Sequence, residues 1–169
     1  FATTINIPAD FATIQEGIDA AQDGDIVLIA EGTYHENLMI NKEITLMSNA
    51  DFDALEGNEG WYNDPIIQGT IINGSLIDDN TDPNKRSCLI IRDGDIQPTI
   101  KGLTFEEGIG TSMIVVDCDP YPIRSGGAIL IYDAYPTINY NRFINNGMSP
   151  ATERGRKAAK TGGAIAHYE

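Results

Sequence analysis

Basic residues are scarce in this sequence, and long apolar runs are missing from it. The 169 residues include 11 Lys and Arg against 25 Asp and Glu, which gives a formal net charge of −14. Nucleic acids and anionic membranes both need a basic surface, so the charge argues against either partner. Apolar stretches such as Ile26 to Ala30 are far shorter than the roughly 20 residues that span a bilayer. A neutral polymer, a cationic partner or a divalent ion fits this composition better.

Leucine and cysteine are also scarce. The chain has 8 Leu against 25 Ile, and β-branched side chains favour strands over helices. It has 17 Gly and 13 Asn, which are common in turns. The two cysteines, Cys88 and Cys118, leave two alternatives open, a disulfide or two reduced buried thiols. The composition therefore predicts many short strands joined by tight corners.

One short helix is predicted over residues 13–22. Thr13 and Glu16 have the spacing of a capping box, in which each side chain accepts a hydrogen bond from the other residue's backbone N–H. Ile14 and Ile18 then fall on one helical face. The pattern indicates a helix that packs this face against the rest of the domain.

Short strands are predicted on both sides of a polar loop. Before the loop they cover residues 26–30, 38–40 and 44–47. The loop covers residues 49–65 and contains the single tryptophan, Trp61. After it, Ile66-Ile67 and residues 70–72 are predicted to continue as strands.

The second half of the chain repeats, most clearly over residues 87–169. A strand opening is followed by Pro-Thr-Ile and then by Phe, first at 87–105 and again at 126–143, and Gly162 to Glu169 begins a third copy. Such a repeat predicts a solenoid in which like residues stack between coils. We expect Phe105 to stack on Phe143, Ile129 on Ile165, and Tyr132 on Tyr168.

The N-terminal part resembles a known superfamily. Residues 10–21, 25–38 and 40–46 are similar to the N-terminus of pectin-lyase-like proteins, and the resemblance covers roughly residues 5–47. It implies an all-β fold, a right-handed parallel β-helix with a short N-terminal capping α-helix. In that fold the helix at 13–22 would plug the open edge of the first coil.

The C-terminal half resembles a narrower group. Gly-Gly-Ala-Ile at 126–129 and 162–165, with Phe143-Ile-Asn-Asn146, is similar to the GGAI and FxxN repeats of polymorphic outer-membrane proteins and related bacterial surface β-helices. The pattern departs from those repeats at Phe105-Glu-Glu-Gly108, where the Asn is missing. This resemblance implies a secreted or cell-surface location.

Enzymatic residues of the superfamily are harder to place. The strand that should carry the Gln of a pectin methylesterase reads Gly126 to Ile131 without one, so that activity is not expected. A polysaccharide lyase needs a base and a cation that neutralises the substrate carboxylate. Arg142 would face outward if Phe143 faces inward, and it is the one base that the sequence nominates. The catalytic residues therefore stay unknown.

A calcium site is predicted at Asp78, Asn80 and Asp82. Oxygen-bearing side chains alternate there, and such a loop can wrap one hard cation. Pro83 stands where a calcium loop would have Gly, and no Glu closes the loop, so an ordinary acidic loop is the alternative. No other cofactor is expected.

Taken as a whole, residues 1–169 are expected to form a single β-helix domain, the N-terminal part of a longer protein, because the third repeat stops after its first strand. The expected function is binding of polysaccharide or another cell-surface component. One alternative is the N-terminal part of a polysaccharide lyase or glycoside hydrolase with catalytic residues on later coils. Another is a structural solenoid that self-associates through the open C-terminal edge.

Overall fold

The computed structural model of the protein describes most of the chain. The described residues are 1–75, 86–115, 121–147, 152–153, 156–157, 159–161 and 164–168. The predicted calcium ligands Asp78, Asn80 and Asp82 lie outside them, as does Cys118.

Short strands dominate the secondary structure, and the helices are few. Residues 1–75 contain β1 (Thr4–Ile7), α1 (Ile14–Ala20), β2 (Ile26–Ile29), β3 (Gly32–His35), β4 (Leu38–Ile40), β5 (Thr45–Ser48), α2 (Phe52–Leu55), a 3₁₀ turn (Trp61–Asn63), α3 (Pro65–Gly69) and β6 (Thr70–Asn73). Residues 86–147 contain β7 (Leu89–Ile91), β8 (Thr99–Lys101), β9 (Thr104–Glu106), β10 (Thr111–Val115), β11 (Tyr121–Ser125), β12 (Ile129–Tyr132), β13 (Thr137–Asn139) and β14 (Arg142–Ile144). The remaining strands are β15 (Thr152–Glu153), β16 (Arg156–Lys157), β17 (Ala159–Thr161) and β18 (Ile165–Tyr168).

Three parallel sheets contain thirteen of the described strands, while β10, β11 and β17 form a separate sheet and β15 pairs with β16. The first has the order β1-β2-β5-β8-β13, the second β3-β6-β9-β14, and the third β4-β7-β12-β18. The chain visits them in turn: β2, β3 and β4 enter the first, second and third sheets, and β5, β6 and β7 repeat the sequence. The protein is therefore mostly β with parallel pairing, which is consistent with an all-β parallel solenoid.

The predicted stacking of repeats is confirmed by the strand register. Phe105 pairs with Phe143, and their rings are stacked with centroids 5.7 Å apart and an interplanar angle of 12°. Ile129 pairs with Ile165 and Tyr132 with Tyr168. Inward-facing side chains of the three sheets form the main core, and the Phe105 side chain is fully buried in it.

The predicted helix is confirmed, together with its capping box. Thr13 caps α1, and its Oγ1 accepts from the Glu16 N–H while Glu16 accepts from the Thr13 N–H. The Glu36 carboxylate accepts from two further N–H groups of the first turn. At the other end, the Lys42 Nζ donates to three carbonyl oxygens, at distances of 2.7–2.9 Å. Opposite charges thus satisfy both helix ends, where backbone groups lack intrahelical partners.

The sequence prediction is wrong for residues 49–69, which we name the insert. They were expected to form a polar loop and a strand, but they contain α2, the 3₁₀ turn and α3, and Ile66-Ile67 lies in α3. Asp51 accepts from the Ala54 N–H, and Asp64 accepts from the first N–H groups of α3. Carboxylate caps and Pro65 at the first helical position favour a helix, and two adjacent isoleucines do not outweigh them.

Candidate functional site: an aromatic corner

The insert leaves the first sheet at one corner of the fold. It follows β5 of the first sheet and precedes β6 of the second. The same junction recurs in the following rungs, where Gly102 follows β8 and Tyr140 follows β13. Both residues have left-handed backbone angles, with φ of +72° and +57°. Only two residues connect β8 to β9 and β13 to β14. The equivalent connection between β5 and β6 is about twenty residues longer, and the extra residues form the insert.

Gly102 makes room for the insert. A Cβ at this position would lie 2.6 Å from the Ser48 Oγ and would overlap the end of the Phe52 ring. Its left-handed φ is also a conformation that side-chain-bearing residues adopt rarely. The corner thus needs glycine for two reasons, and the space it leaves is filled by Phe52.

Four aromatic residues meet at this place, and we name them the aromatic corner: Phe52, Trp61, Tyr62 and Tyr140. The centroid of the Tyr140 ring lies 5.8 Å from that of Phe52 and 5.6 Å from that of Trp61, the latter edge-to-face at 90°. Trp61 also meets Tyr62 edge-on, with centroids 6.2 Å apart. The Lys101 Nζ lies 4.0 Å from the Phe52 centroid and 5.7 Å from that of Tyr140. Such edge-to-face and cation–π contacts hold rings in fixed orientations.

The aromatic corner packs against the protein on one side and is exposed to solvent on the other. Underneath, it packs on Leu55 and Ile67, which are buried and form a small core separate from the main one. Outside, the Tyr62 side chain is 52% exposed, while Trp61 and Tyr140 are half-buried. Large amphipathic rings in such a position are suited to contact a ligand at little entropic cost.

Sequence reasoning found only part of this site. It placed Trp61 in a polar loop and gave it no partner, because Tyr140, whose ring Trp61 meets, is 79 positions further along the chain. The repeat itself carried the missing signal. Aligned by their Pro-Thr-Ile segments, the two copies place Gly102 and Tyr140 at the same corner, and that exchange of glycine for an aromatic marks where the insert packs.

Arg142, the one nominated base, takes the outward position that was predicted. Phe143 packs against the main core, and the Arg142 Nη1 donates to the Thr104 Oγ1 at 3.3 Å. Thr104 in turn donates to the Ile67 carbonyl oxygen at 2.7 Å. The guanidinium therefore takes part in joining β14 and β9 to α3.

Cys88 carries a free thiol in the structure. It is fully buried, and burial raises its pKa to about 12. A Cβ on Gly74 or Gly108 would lie within 3 Å of its Sγ. The thiol is thus held in a tight buried site, where it donates to the Glu106 carbonyl oxygen at 3.3 Å, and burial keeps it protonated.

The asparagines of the repeat form bridges between rungs. The Asn146 Nδ2 donates to the Phe105 carbonyl oxygen, and its Oδ1 accepts from the Gly108 N–H. Asn141 does the same one corner earlier, between Ile100 and Leu103. These amides satisfy buried backbone groups, so their role is structural.

Within the described ranges, no three His, Cys, Asp or Glu side chains are grouped so that they could hold a metal ion. The same part of the chain contains no helix of the length and apolarity that a membrane crossing requires. The predicted calcium ligands lie outside these ranges and stay a prediction.

Comparisons with known proteins give one informative match. No family model matches the chain, and no solved structure matches it. A protein named "Cell surface glycoprotein" from Methanothermus fervidus is 43% identical over 78 residues. The match covers 41% of this chain and 13% of that protein. The similarity is consistent with a cell-surface location.

Proposed function

We propose that this chain is a domain of a cell-surface or secreted protein and binds polysaccharide through the aromatic corner. The cyclic visits to three parallel sheets support a right-handed parallel β-helix as its scaffold. The observation that carries the binding proposal is the aromatic corner itself, since three of its rings pack on a small core while the adjoining Tyr62 is 52% exposed.

The chemistry of sugars explains why such rings suit them. The faces of a pyranose ring carry C–H bonds with a slight positive charge, and these stack on the electron-rich faces of aromatic rings. Trp61 and Tyr62 also keep an indole N–H and a phenol O–H that can bond to hydroxyl groups. A net charge of −14 does not repel a neutral polymer.

Affinity electrophoresis tests the proposal with two neutral polymers, a galactomannan and a mixed-linkage β-glucan, cast in the gel. We expect at least one of them to retard the parent protein, and we expect Trp61→Ala and Tyr62→Ala to lose most of that retardation. Tyr132→Ala is the matched control, because Tyr132 is 47% exposed and lies in β12 of the third sheet. Equal retardation of all four proteins would contradict the site, and no retardation of the parent would contradict the function.

The single tryptophan gives an independent readout. Because Trp61 belongs to the aromatic corner, its fluorescence reports on that place alone. Titration with a hexasaccharide of the retarding polymer should shift the emission and saturate. A retarded protein with unchanged Trp61 emission would place the binding surface elsewhere.

Calcium binding at Asp78, Asn80 and Asp82 belongs to this proposal as a separate element. The alternating carboxylate and amide oxygens support it, since hard cations prefer such ligands. Isothermal calorimetry with CaCl₂ should show heat for the parent that Asp82→Ala lacks. Equal heats for the two proteins would mean that any calcium ion binds at other residues.

A further inference from the structure

We propose that the aromatic corner selects neutral sugars and rejects uronic acid polymers, an inference that rests on the binding function proposed above. The rings remain the contact surface, and the charge of the side chains around them decides which sugars bind there.

The insert is acidic throughout the segment that carries the rings. Residues 51–64 contain five Asp and Glu and no Lys or Arg. Asp51 and Asp64 are engaged as helix caps. The other three, Asp53, Glu56 and Glu59, are exposed and make no side-chain hydrogen bond or ion pair within the described part of the chain.

Asp53 and Glu59 are neighbours of the rings along the chain, and Glu56 follows Leu55 of the small core on which the rings pack. Asp53 follows Phe52 directly, and Glu59 is two residues before Trp61. Within each of these two pairs the Cα atoms are therefore at most about 8 Å apart. That is less than the Debye length of roughly 10 Å at 0.1 M salt. A polyanion laid across Trp61 and Tyr62 would therefore meet incompletely screened negative charge.

Two cations near the rings, Lys101 and Arg142, offset only part of this charge, since residues 51–64 carry five carboxylates. The Lys101 ammonium sits against Phe52 and Tyr140, and the Arg142 guanidinium bonds to Thr104 beneath α3. Both are half-buried and already engaged with protein groups. A uronate carboxylate would have to compete with those contacts, whereas a neutral hydroxyl would not.

The test uses one sugar backbone with and without charge. Hexagalacturonate and its fully methyl-esterified form differ by six carboxylates, and both can be titrated while Trp61 fluorescence is followed. We expect the ester to bind at least about tenfold more tightly in low salt, and we expect the difference to shrink in 0.5 M NaCl as screening shortens the range of repulsion.

Two matched triple variants locate the effect. Asp53→Asn/Glu56→Gln/Glu59→Gln removes three charges from the insert and should narrow the difference between the two ligands several-fold. Asp95→Asn/Glu107→Gln/Asp133→Asn changes net charge by the same amount at exposed positions outside the insert and should leave the difference unchanged. Equal narrowing by both variants would mean that overall charge, rather than the insert, sets selectivity.

The outcomes separate this inference from the function on which it rests. If hexagalacturonate binds as tightly as its ester and Trp61→Ala abolishes both, the aromatic corner binds sugars without the proposed selectivity, and the inference is wrong. If hexagalacturonate binds with no response of Trp61, it binds elsewhere, and the selectivity of the corner stands. If neither the ester nor any neutral polymer binds, the proposed function fails and the inference fails with it.

Discussion

The Phe105–Phe143 stack and the aromatic corner are two aromatic assemblies that are built in opposite ways. In the main core, Phe105 and Phe143 occupy equivalent positions of two rungs and stack nearly parallel, with Phe105 fully buried. In the aromatic corner, Phe52, Trp61 and Tyr140 come from an insert and a rung two turns later, and they meet at steep angles near the surface. The first arrangement repeats with the fold, and the second occurs at one place.

The difference indicates what each assembly is for. A side chain that recurs in register is explained by the stacking of rungs, because parallel pairing brings like residues together and buries them. An unrepeated cluster that stays partly exposed needs another reason, since its rings give up part of the burial that would stabilise them. The comparison therefore supports a stabilising role for the Phe105 stack and the proposed binding role for the aromatic corner, and mutations can separate the two.

The largest effect is expected from Phe105→Ala. Removing a fully buried ring leaves a cavity in the main core and should lower the free energy of unfolding by about 3–5 kcal/mol. Trp61→Ala, at a half-buried site, should cost about 1 kcal/mol. Urea unfolding followed by circular dichroism measures both.

Sugar binding should respond in the reverse order. Folded Phe105→Ala protein should keep its retardation in neutral polymer gels, and Trp61→Ala should lose it. A Phe105→Ala variant as stable as the parent would show that the stack is not the main stabilising element. Loss of binding by both variants would make the distinction between the two assemblies untenable.

A smaller effect is expected from Gly102→Ala, at the position where Phe52 packs against the rungs. The new methyl group would collide with Phe52, so the aromatic corner should shift and stability should fall by about 1–3 kcal/mol. Gly94→Ala is the matched control, because Gly94 has a similar left-handed φ of +92° and nothing within 4 Å of its added Cβ.

Both glycine variants carry a side chain at a left-handed φ, so the difference between their stabilities measures the collision with Phe52 alone. Trp61 emission and neutral-sugar binding should change in Gly102→Ala and stay as in the parent in Gly94→Ala. Identical behaviour of the two variants would mean that backbone strain explains everything and that Phe52 does not depend on the space at Gly102.

The sequence predicted the first assembly and missed the second, for physical reasons. The stacking of Phe105 on Phe143 follows from a repeat, and a repeat can be recognised without coordinates. Helix α1 could be predicted because its capping box is local. The aromatic corner depends on how an insert folds back over later rungs, and no short-range pattern fixes that path.

The third prediction concerns the C-terminal end of α1, where Lys42 has a structural role. The Lys42 ammonium donates to three carbonyl groups at the C-terminal end of α1, and Lys42→Met should cost about 1 kcal/mol in stability. Arg92→Met is the control, since Arg92 is 48% exposed and pairs on the surface with Asp93. Exposed ion pairs contribute little, so its effect should be smaller. Equal losses would show that the helix end gains nothing special from Lys42.

The smallest expected effect appears at acidic pH and involves Asp25. Its carboxylate accepts hydrogen bonds from the backbone N–H groups of Gln22 and Thr3, at 2.8 and 2.7 Å, and these bonds lower its pKa below the ordinary range. A carboxyl group whose pKa is lowered by folding stabilises the protein above its unfolded pKa, and this contribution is lost as the pH falls through the folded value. Asp25→Asn should therefore be less stable than the parent at pH 7, and the two should converge as the pH falls through the lowered pKa of Asp25. Asp95→Asn, which removes one carboxylate at an exposed position, is the matched control. Unfolding curves from pH 7 to pH 2 measure this, and parallel curves for Asp25→Asn and the parent would show that the Asp25 hydrogen bonds do not couple protonation to folding.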